Sequence, residues 1–524
     1  MKPLKTPIDE NSFVLGIDIG NDSSSISFFN AATKQADVID LSGGYGKPSI
    51  PTAMQYIPET KEWVYGEYAL TNSDTAGAVL VTGLVERLGK CDYFDISGRS
   101  VSAVTLLGMF IKALVGHVYN INPRAEIVGI IAAIPSYLGD EATNEFLQAF
   151  QKAGLEKELI GFVSDRECVL HNYLHSRRAG VVTPYNRLGN IMMLDFGARA
   201  LRGVVFETMP SNGGQTQFRS TSSFFDTNIS SDAVNTLVRS LFTHFYCDNY
   251  KISPEKLSAQ TKAQLNTFAY QHRDILFQKS IKTKPARLYF NFAHPAFSRS
   301  VDTAEAECLI CGLKSGMEDF IAKLLNNLNA GGREMQPADI QTVLAFGGGF
   351  EMLWARNFVK DTLPNSDVHF YKNSKVCVSE GAAIAAAHAL SLLPEHPAIS
   401  IQDLSRLDTD IGVMVTQQNR ERFVPIAPQN SFWWQMHAPL HFILGEATDN
   451  PIGLKLFKRG ANGNITSIDD ISLEGLPHRP RNATRISVEI AFDNYNSATC
   501  RLTDLGFGDM FPTSGISAEK NFVI

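Results

Sequence analysis

One pattern occurs twice in this chain, and it limits the available folds more than any bulk property does. VLGIDIGNDSSSISFF (Val14–Phe29) and IMMLDFGARALRGVVFE (Ile191–Glu207) each pass from an apolar run through Asp, one residue and Gly into a second apolar run. A motif repeated at this separation points to two similar supersecondary units, each placing a tight hairpin at the mouth of a sheet. Amides in such a turn can face phosphate oxygens, and Asp18 or Asp195 can hold Mg²⁺ through its waters. Gly20 and Gly197 let the backbone approach a ligand closely. Either copy alone is more economically a plain hairpin. Taken together with TVLAFGGGFEML (Thr342–Leu353), a buried strand ending in Gly347, Gly348 and Gly349, they favour the halves of a phosphate clamp.

A P-loop is excluded as the source of phosphate binding. GLVERLGKC (Gly83–Cys91) has five residues between its glycines and ends in Cys, where the motif needs four and a hydroxyl. Around the two hairpins the chain alternates strand and helix patterns. EIVGIIAAIP (Glu126–Pro135) is a buried strand, and GDEATNEFLQAFQKAGL (Gly139–Leu155) spaces Phe146, Ala149, Phe150 and Ala153 as a helix behind an acidic first turn. Strand–helix alternation of this kind is an α/β layer pattern. The loop Gly180–Gly189 separates it from the second hairpin. Residues 231–280 read as largely helical, as do 303–328, and Ser379–Leu390 is a small-residue helix suited to close packing.

After Leu392 the character changes. LLPEHPAISIQDLSR (Leu392–Arg406) reads as a linker, and alternating strand patterns dominate beyond it, as in Ile486–Phe492. A separate all-β domain of about 120 residues accounts for this tail. At 524 residues the whole chain exceeds one core, and its 44% hydrophobic and 19% charged residues suit a folded protein.

In this order the parts resemble the heat-shock-protein-70 (DnaK-type) chaperone family, a branch of the actin and sugar-kinase fold. VLGIDIGNDSSSIS resembles that family's first phosphate loop and IMMLDFGARALRG its second. TVLAFGGGFEML resembles its adenosine loop, and KPSIPTAMQY the segment after the first loop. IVGIIAAIPSYLGDEATNEFLQAFQKAGL is similar to its strand–proline–helix segment, with Pro135 in the place of the allosteric proline. FVSDRECVLHNYL puts Asp165 where the family has Glu. The resemblance implies an α/β actin-like two-lobed ATPase fold followed by an all-β sandwich. Lobe I would span residues 1–190 and lobe II 191–393, with the helix Ser379–Leu390 returning towards lobe I. An interdomain linker at 394–405 and a peptide-binding-like sandwich at 406–524 would complete the chain.

By the same resemblance Asp18, Gly20, Asn21, Asp22, Gly197, Gly347, Gly348 and Gly349 would bind ATP or ADP. Asp195 and Asp165 would be catalytic, and Mg²⁺ would sit on Asp18 and Asp195 through water. Several positions depart from the family. Two threonines become Asn21 and Asp22, and Gly-Gly-Thr becomes Ala198, Arg199 and Ala200. Glu86 falls near the place of the lysine that assists hydrolysis, and Glu351 replaces an arginine that covers the base. YQHRDILFQ (Tyr270–Gln278) lacks the pattern expected at the ribose, and the closing segment reads Asn373, Ser374, Lys375 and Val376. Extra carboxylates beside a triphosphate oppose binding unless metal or Arg199 compensates. Weak or lost hydrolysis is the expectation, with binding of ATP or ADP left open.

In the sandwich, the resemblance makes Phe423, Phe442, Ile452 and Leu454 candidates for an apolar peptide pocket; ordinary sandwich core is the competing account. The loop Thr416–Arg422, which would arch over the peptide, is polar. Trp433 and Trp434 cannot both point inward from a regular strand, so one is expected at the surface. The family's helical lid has no counterpart before Ile524.

Other features narrow the partners. A net charge of −7 without a Lys/Arg block argues against nucleic acid and anionic membranes. No leader and no run of about eighteen uninterrupted apolar residues is found, so neither a secretory signal nor a membrane span is expected. Seven scattered cysteines suit a reduced cytoplasmic setting. Cys308 and Cys311 read as core cysteines on a helix rather than a zinc site, and no zinc is expected. His171 and His175 read as a solvated helix face. The expected function is a lidless chaperone-like protein binding a peptide or protein client, with a co-chaperone among its possible partners. The alternative is a pseudo-ATPase scaffold without a nucleotide cycle; a small-molecule kinase leaves the β tail unexplained.

Overall fold

The computed structural model describes residues 9–71, 77–180, 189–212, 215–277, 285–326, 329, 334–371, 373–417, 420–435, 437–448 and 451–524. Contacts divide the chain into two compact units. The first comprises Met1–Phe218, Asp226–Ala322 and Gln336–Ile401; the second comprises Arg219–Phe225, Lys323–Met335 and Gln402–Ile524.

The first unit contains two sheets that share a strand plan. In one, β1 (Ser12–Ile19) pairs antiparallel with β2 (Ser23–Asn30), which pairs with β3 (Gln35–Val38). On its other side β1 pairs in parallel with β4 (Glu126–Ile134), and β4 with β5 (Leu159–Ser164). The second sheet repeats this. There β6 (Asn190–Phe196) pairs antiparallel with β7 (Leu201–Asn212) and in parallel with β8 (Ile340–Phe346), which pairs with β9 (Asp367–Phe370). The strands Gln215–Asp226 and Ala398–Gln402 complete it. The segment expected to be a free linker thus includes a strand. Its alternating Ile399 and Ile401 pack on the core instead of lying in solvent.

Alternation along β1 sorts its residues to two cores. Phe13, Leu15, Ile17 and Ile19 face the helices α1 (Ala103–Ile121) and α2 (Asp140–Ala153). Val14 faces the opposite layer, which also takes in α3 (Asp165–Gly180), α4 (Cys377–Ala389) and, from the second sheet, Ile191, Met193, Val204 and Phe206. The layer is tight. A Cβ on Gly16 would lie 2.1 Å from the Ala383 amide nitrogen and the Ser379 carbonyl oxygen. One on Gly381 would lie 1.8 Å from the Cys168 carbonyl oxygen. The Ser379 hydroxyl meets those of Ser25 and Ser27 at 3.0 and 2.8 Å, so the polar atoms that this packing buries are partnered.

Helix α1 is long and apolar enough to cross a bilayer, although Thr105, Lys112, His117 and Asn120 interrupt its apolar residues. Half of it is buried, and ten of its residues, among them Phe110 and Ile111, lie in the interior of the fold. The two histidines expected on a solvated face of α3 are buried instead. His171 Nδ1 lies 2.8 Å from His396 Nε2, and His175 Nε2 lies 2.8 Å from the Lys34 carbonyl. Helical spacing told only that the two share a face, and that face is covered. Cys308 and Cys311 are the reverse case, exposed on Thr303–Leu325 where core positions were expected.

The second unit is built around two four-stranded antiparallel sheets. One has the order β11–β10–β13–β14, with β10 (Asp410–Gln417), β11 (Arg420–Ala427), β13 (Ile452–Arg459) and β14 (Ile465–Leu473). The other has the order β12–β15–β16–β17, with β12 (Leu440–Ile443), β15 (Arg485–Asn494), β16 (Ser497–Gly506) and β17 (Ser517–Val523). Ile411, Val413, Leu456, Ile486, Val488 and Leu502 form its core. Beside the core, Arg479 and Asp504 are almost fully buried as a two-pronged ion pair, Nη1–Oδ1 2.7 Å and Nη2–Oδ2 2.8 Å. Burial alone would raise the Asp504 carboxyl. Hydrogen bonds from Arg479 and Ser514 outweigh it and hold the group well below the usual carboxylate range.

Two further segments belong to this unit. Trp433 is wholly buried, stacked on Phe224 and donating its indole N–H to Asn329 Oδ1 at 2.9 Å. Ser220 accepts from the Leu404 amide at 2.8 Å and from Asn329 Nδ2 at 3.3 Å. Of the two tryptophans Trp434 is the one that reaches the surface, and only in part: it is half-buried and stacked on Phe432 at 4.6 Å.

Candidate functional site

The two Asp-x-Gly hairpins face one cleft of the first unit. Asp18 and Asp195 each stand one residue before the end of their strand, so their carboxylates project at the carboxyl edge of a sheet, where open α/β sheets bind ligands. Asp18, Gly20, Asn21, Asp22, Pro135, Asp165, Asp195, Gly197, Gly347 and Gly348 all line this space of ≈ 800 Å³, part of it open to solvent. A continuation of ≈ 750 Å³ is bounded by Asp22, Ala198, Asp232, Arg273, Gly348 and Lys375.

One expected ligand residue is misplaced. Gly349 is buried, and a Cβ there would lie 2.3 Å from the Phe196 ring, so it serves packing. Its neighbour Gly347 is the glycine that the cleft needs. It has φ +88°, and a Cβ would come within 2.5 Å of Asp195 Oδ1. Three consecutive glycines look alike in sequence; only the turn into Gly348–Glu351 distinguishes them.

The hairpin backbones are built alike. Gly20 donates to the Ser23 carbonyl at 3.0 Å, and Gly197 to the Ala200 carbonyl at 3.0 Å. Their side chains differ. Across the first hairpin Asp18 is paired with Ser25, and across the second Asp195 is paired with Arg202. Arg202 Nη1 donates to Asp195 Oδ2 at 3.1 Å, and its guanidinium lies 4.2 Å from the centre of the Tyr137 ring. Burial pushes the Asp195 carboxyl up to about 6, against the lowering effect of Arg202. Burial, with Asp165 and Asp195 nearby, pushes Asp18 up to about 8. Asp165 heads α3 and accepts from the Arg166 amide at 2.8 Å and the Ser136 amide at 3.1 Å.

The cleft mouth is occupied by its own charges. Asn21 Nδ2 donates to Glu86 Oε2 at 3.1 Å, while the Glu86 amide donates to Asn21 Oδ1 at 3.2 Å. Arg199 Nε lies 3.7 Å from Asp22 and 3.8 Å from Asp232. The Asp22 carboxyl is raised by burial and by Asp232, and Arg199 works against this. Lys375 lines both parts of the cleft, its Cε against Gly348, with no carboxylate partner among the described residues.

Sequence reasoning missed Arg202 and Tyr137. Arg202 was findable in principle: counting outward from the turn of an antiparallel hairpin places it opposite Asp195. Tyr137 carries no signal beyond its nearness to Pro135. In the second unit Phe442, Ile452 and Leu454 are half-buried against the sandwich core, and Phe423 is buried with the Arg459 guanidinium 4.7 Å from its ring centre. Residues 418–419 of the expected arch, 449–450 beside Ile452, and Gln278 lie outside the described residues.

Two families match parts of the chain. Residues 406–524 match a domain of unknown function, DUF8552, and residues 36–206 match the C-terminal part of a family of unknown function, DUF5716. No curated protein matches the sequence.

Proposed function

We propose that this chain is a divergent protein of the heat-shock-protein-70 type. Its actin-like two-lobed frame would bind an adenine nucleotide with little or no hydrolysis, and its β unit would hold a peptide or protein client. The observation that carries the reading is the pair of Asp-x-Gly hairpins, on two sheets of the same strand plan, facing one cleft. Weak hydrolysis follows from what lines it. Ala198, Arg199 and Ala200 bring neither a hydroxyl nor glycine to the second turn, and Glu86 holds Asn21 at the first. Client binding is supported by the sandwich and by the half-buried apolar side chains Phe442, Ile452 and Leu454. A cytoplasmic setting goes with this proposal.

A second reading, a scaffold without a nucleotide cycle, is favoured by the approach of Arg199 to Asp22 at 3.7 Å in the cleft mouth. Calorimetry with ATP and ADP, alongside phosphate release, separates the two. Micromolar binding without turnover is the expected result. Heatless titration at millimolar nucleotide would leave the scaffold.

A further inference from the structure

We infer that the cleft takes the phosphates of a nucleoside di- or triphosphate directly on Arg202, Arg199 and Lys375, without a divalent metal. The inference rests on the nucleotide-cleft reading above and deepens it. A hydrated cation shared by the two hairpin carboxylates competes with any cation of the chain already resting on them. Here Arg202 Nη1 is already 3.1 Å from Asp195 Oδ2, on the strand position directly across the hairpin, so the cation is part of the chain. A divalent ion at Asp195 Oδ2 would have to displace a guanidinium held on its other side by the face of Tyr137 at 4.2 Å.

The cleft wall brings its own cations to the place of a metal, because Arg199, Arg202 and Lys375 all line it. Lys375 is the one of the three cations without a carboxylate partner among the described residues, and it lies at the junction of both cleft regions. Arginine suits the task, because its fork can serve a carboxylate and a phosphate at once. At the two turn tips the amides of Asn21, Asp22, Ala198 and Arg199 make no backbone hydrogen bond among the described residues, leaving donors for the same phosphates.

The test is ADP and ATP binding to the full chain by calorimetry, once in excess EDTA and once in excess Mg²⁺. The inference expects binding in EDTA at least as tight as in Mg²⁺. Arg202→Gln should weaken binding in EDTA by about tenfold or more, the scale of one lost charge-assisted hydrogen bond, and restore a gain on adding Mg²⁺. Lys375→Ala, which touches no buried pair, should weaken EDTA binding without creating metal dependence. It keeps the test sound should Arg202→Gln fail to fold. Binding that requires Mg²⁺ in the unaltered chain would overturn the inference and leave the nucleotide cleft standing. No binding in either condition would remove both.

Discussion

The hairpins at Asp18 and Asp195 have the same backbone and different electrostatics. Each strand has an antiparallel and a parallel neighbour, and each turn closes on a glycine amide 3.0 Å from its acceptor. Yet Asp18 faces a serine and is pushed up to about 8, while Asp195 faces an arginine and is pushed up only to about 6. Backbone geometry here depends on apolar alternation and a few glycines, which tolerate almost any charge at the cleft. The ion content of a clamp can therefore be rewritten without disturbing the sheets that carry it.

Exchanging equivalent positions tests how far the likeness extends. Gly16 in the first strand corresponds to Met193 in the second. Gly16→Met drives a side chain into α4, where even a Cβ meets backbone at 2.1 Å, and should cost more than about 3 kcal/mol or prevent folding. Met193→Gly leaves a cavity in the shared layer and should cost about 2–5 kcal/mol in urea unfolding. Near-native stability of either variant would mean that the two strands are interchangeable after all.

Making the second hairpin electrostatically like the first is the next step down. Arg202→Ser strips Asp195 of its partner and should destabilise the protein by about 1–3 kcal/mol at pH 7. The loss should shrink as the pH falls and Asp195 takes up a proton. An equal loss at pH 5 and pH 8 would assign the effect to packing on Tyr137 instead.

The smallest effect has the opposite sign. Asp18 is raised in the folded state, so the folded protein holds a proton that the unfolded chain releases between about pH 4 and pH 8. Its contribution is most favourable below the unfolded value and declines as pH rises through the folded one. Asp18→Asn should therefore leave stability at pH 4 unchanged and add about 1–2 kcal/mol at pH 8, moderated by the partial exposure of the carboxyl to the cleft. Melting curves across that range would show it, and a variant less stable at pH 8 would contradict it.

What could be read in the sequence was local. Asp-x-Gly between apolar runs gave the hairpins, and period-two alternation gave the β tail. Pairings that need register or tertiary neighbours were not legible: Arg202 opposite Asp195, His171 against His396, and the distinct work of Gly347 and Gly349. Buried and solvated helix faces also look alike at short range. Cys308 and Cys311 are exposed and His171 and His175 buried, the reverse of what their sequence context suggests, because two residues at helical spacing fix a direction and not what lies there.

The composite make-up of the second unit has a consequence for heredity. Trp433 is satisfied by Asn329 and stacked on Phe224, residues more than a hundred positions earlier. The stretch that matches a family of its own, 406–524, holds only one of the three pieces that make the unit compact. A gene segment encoding that stretch, moved to another protein, would arrive with an indole N–H lacking its acceptor and an aromatic face uncovered. To fold there as it folds here, it would need an acceptor for that N–H and a cover for that ring, which two earlier segments of this chain supply.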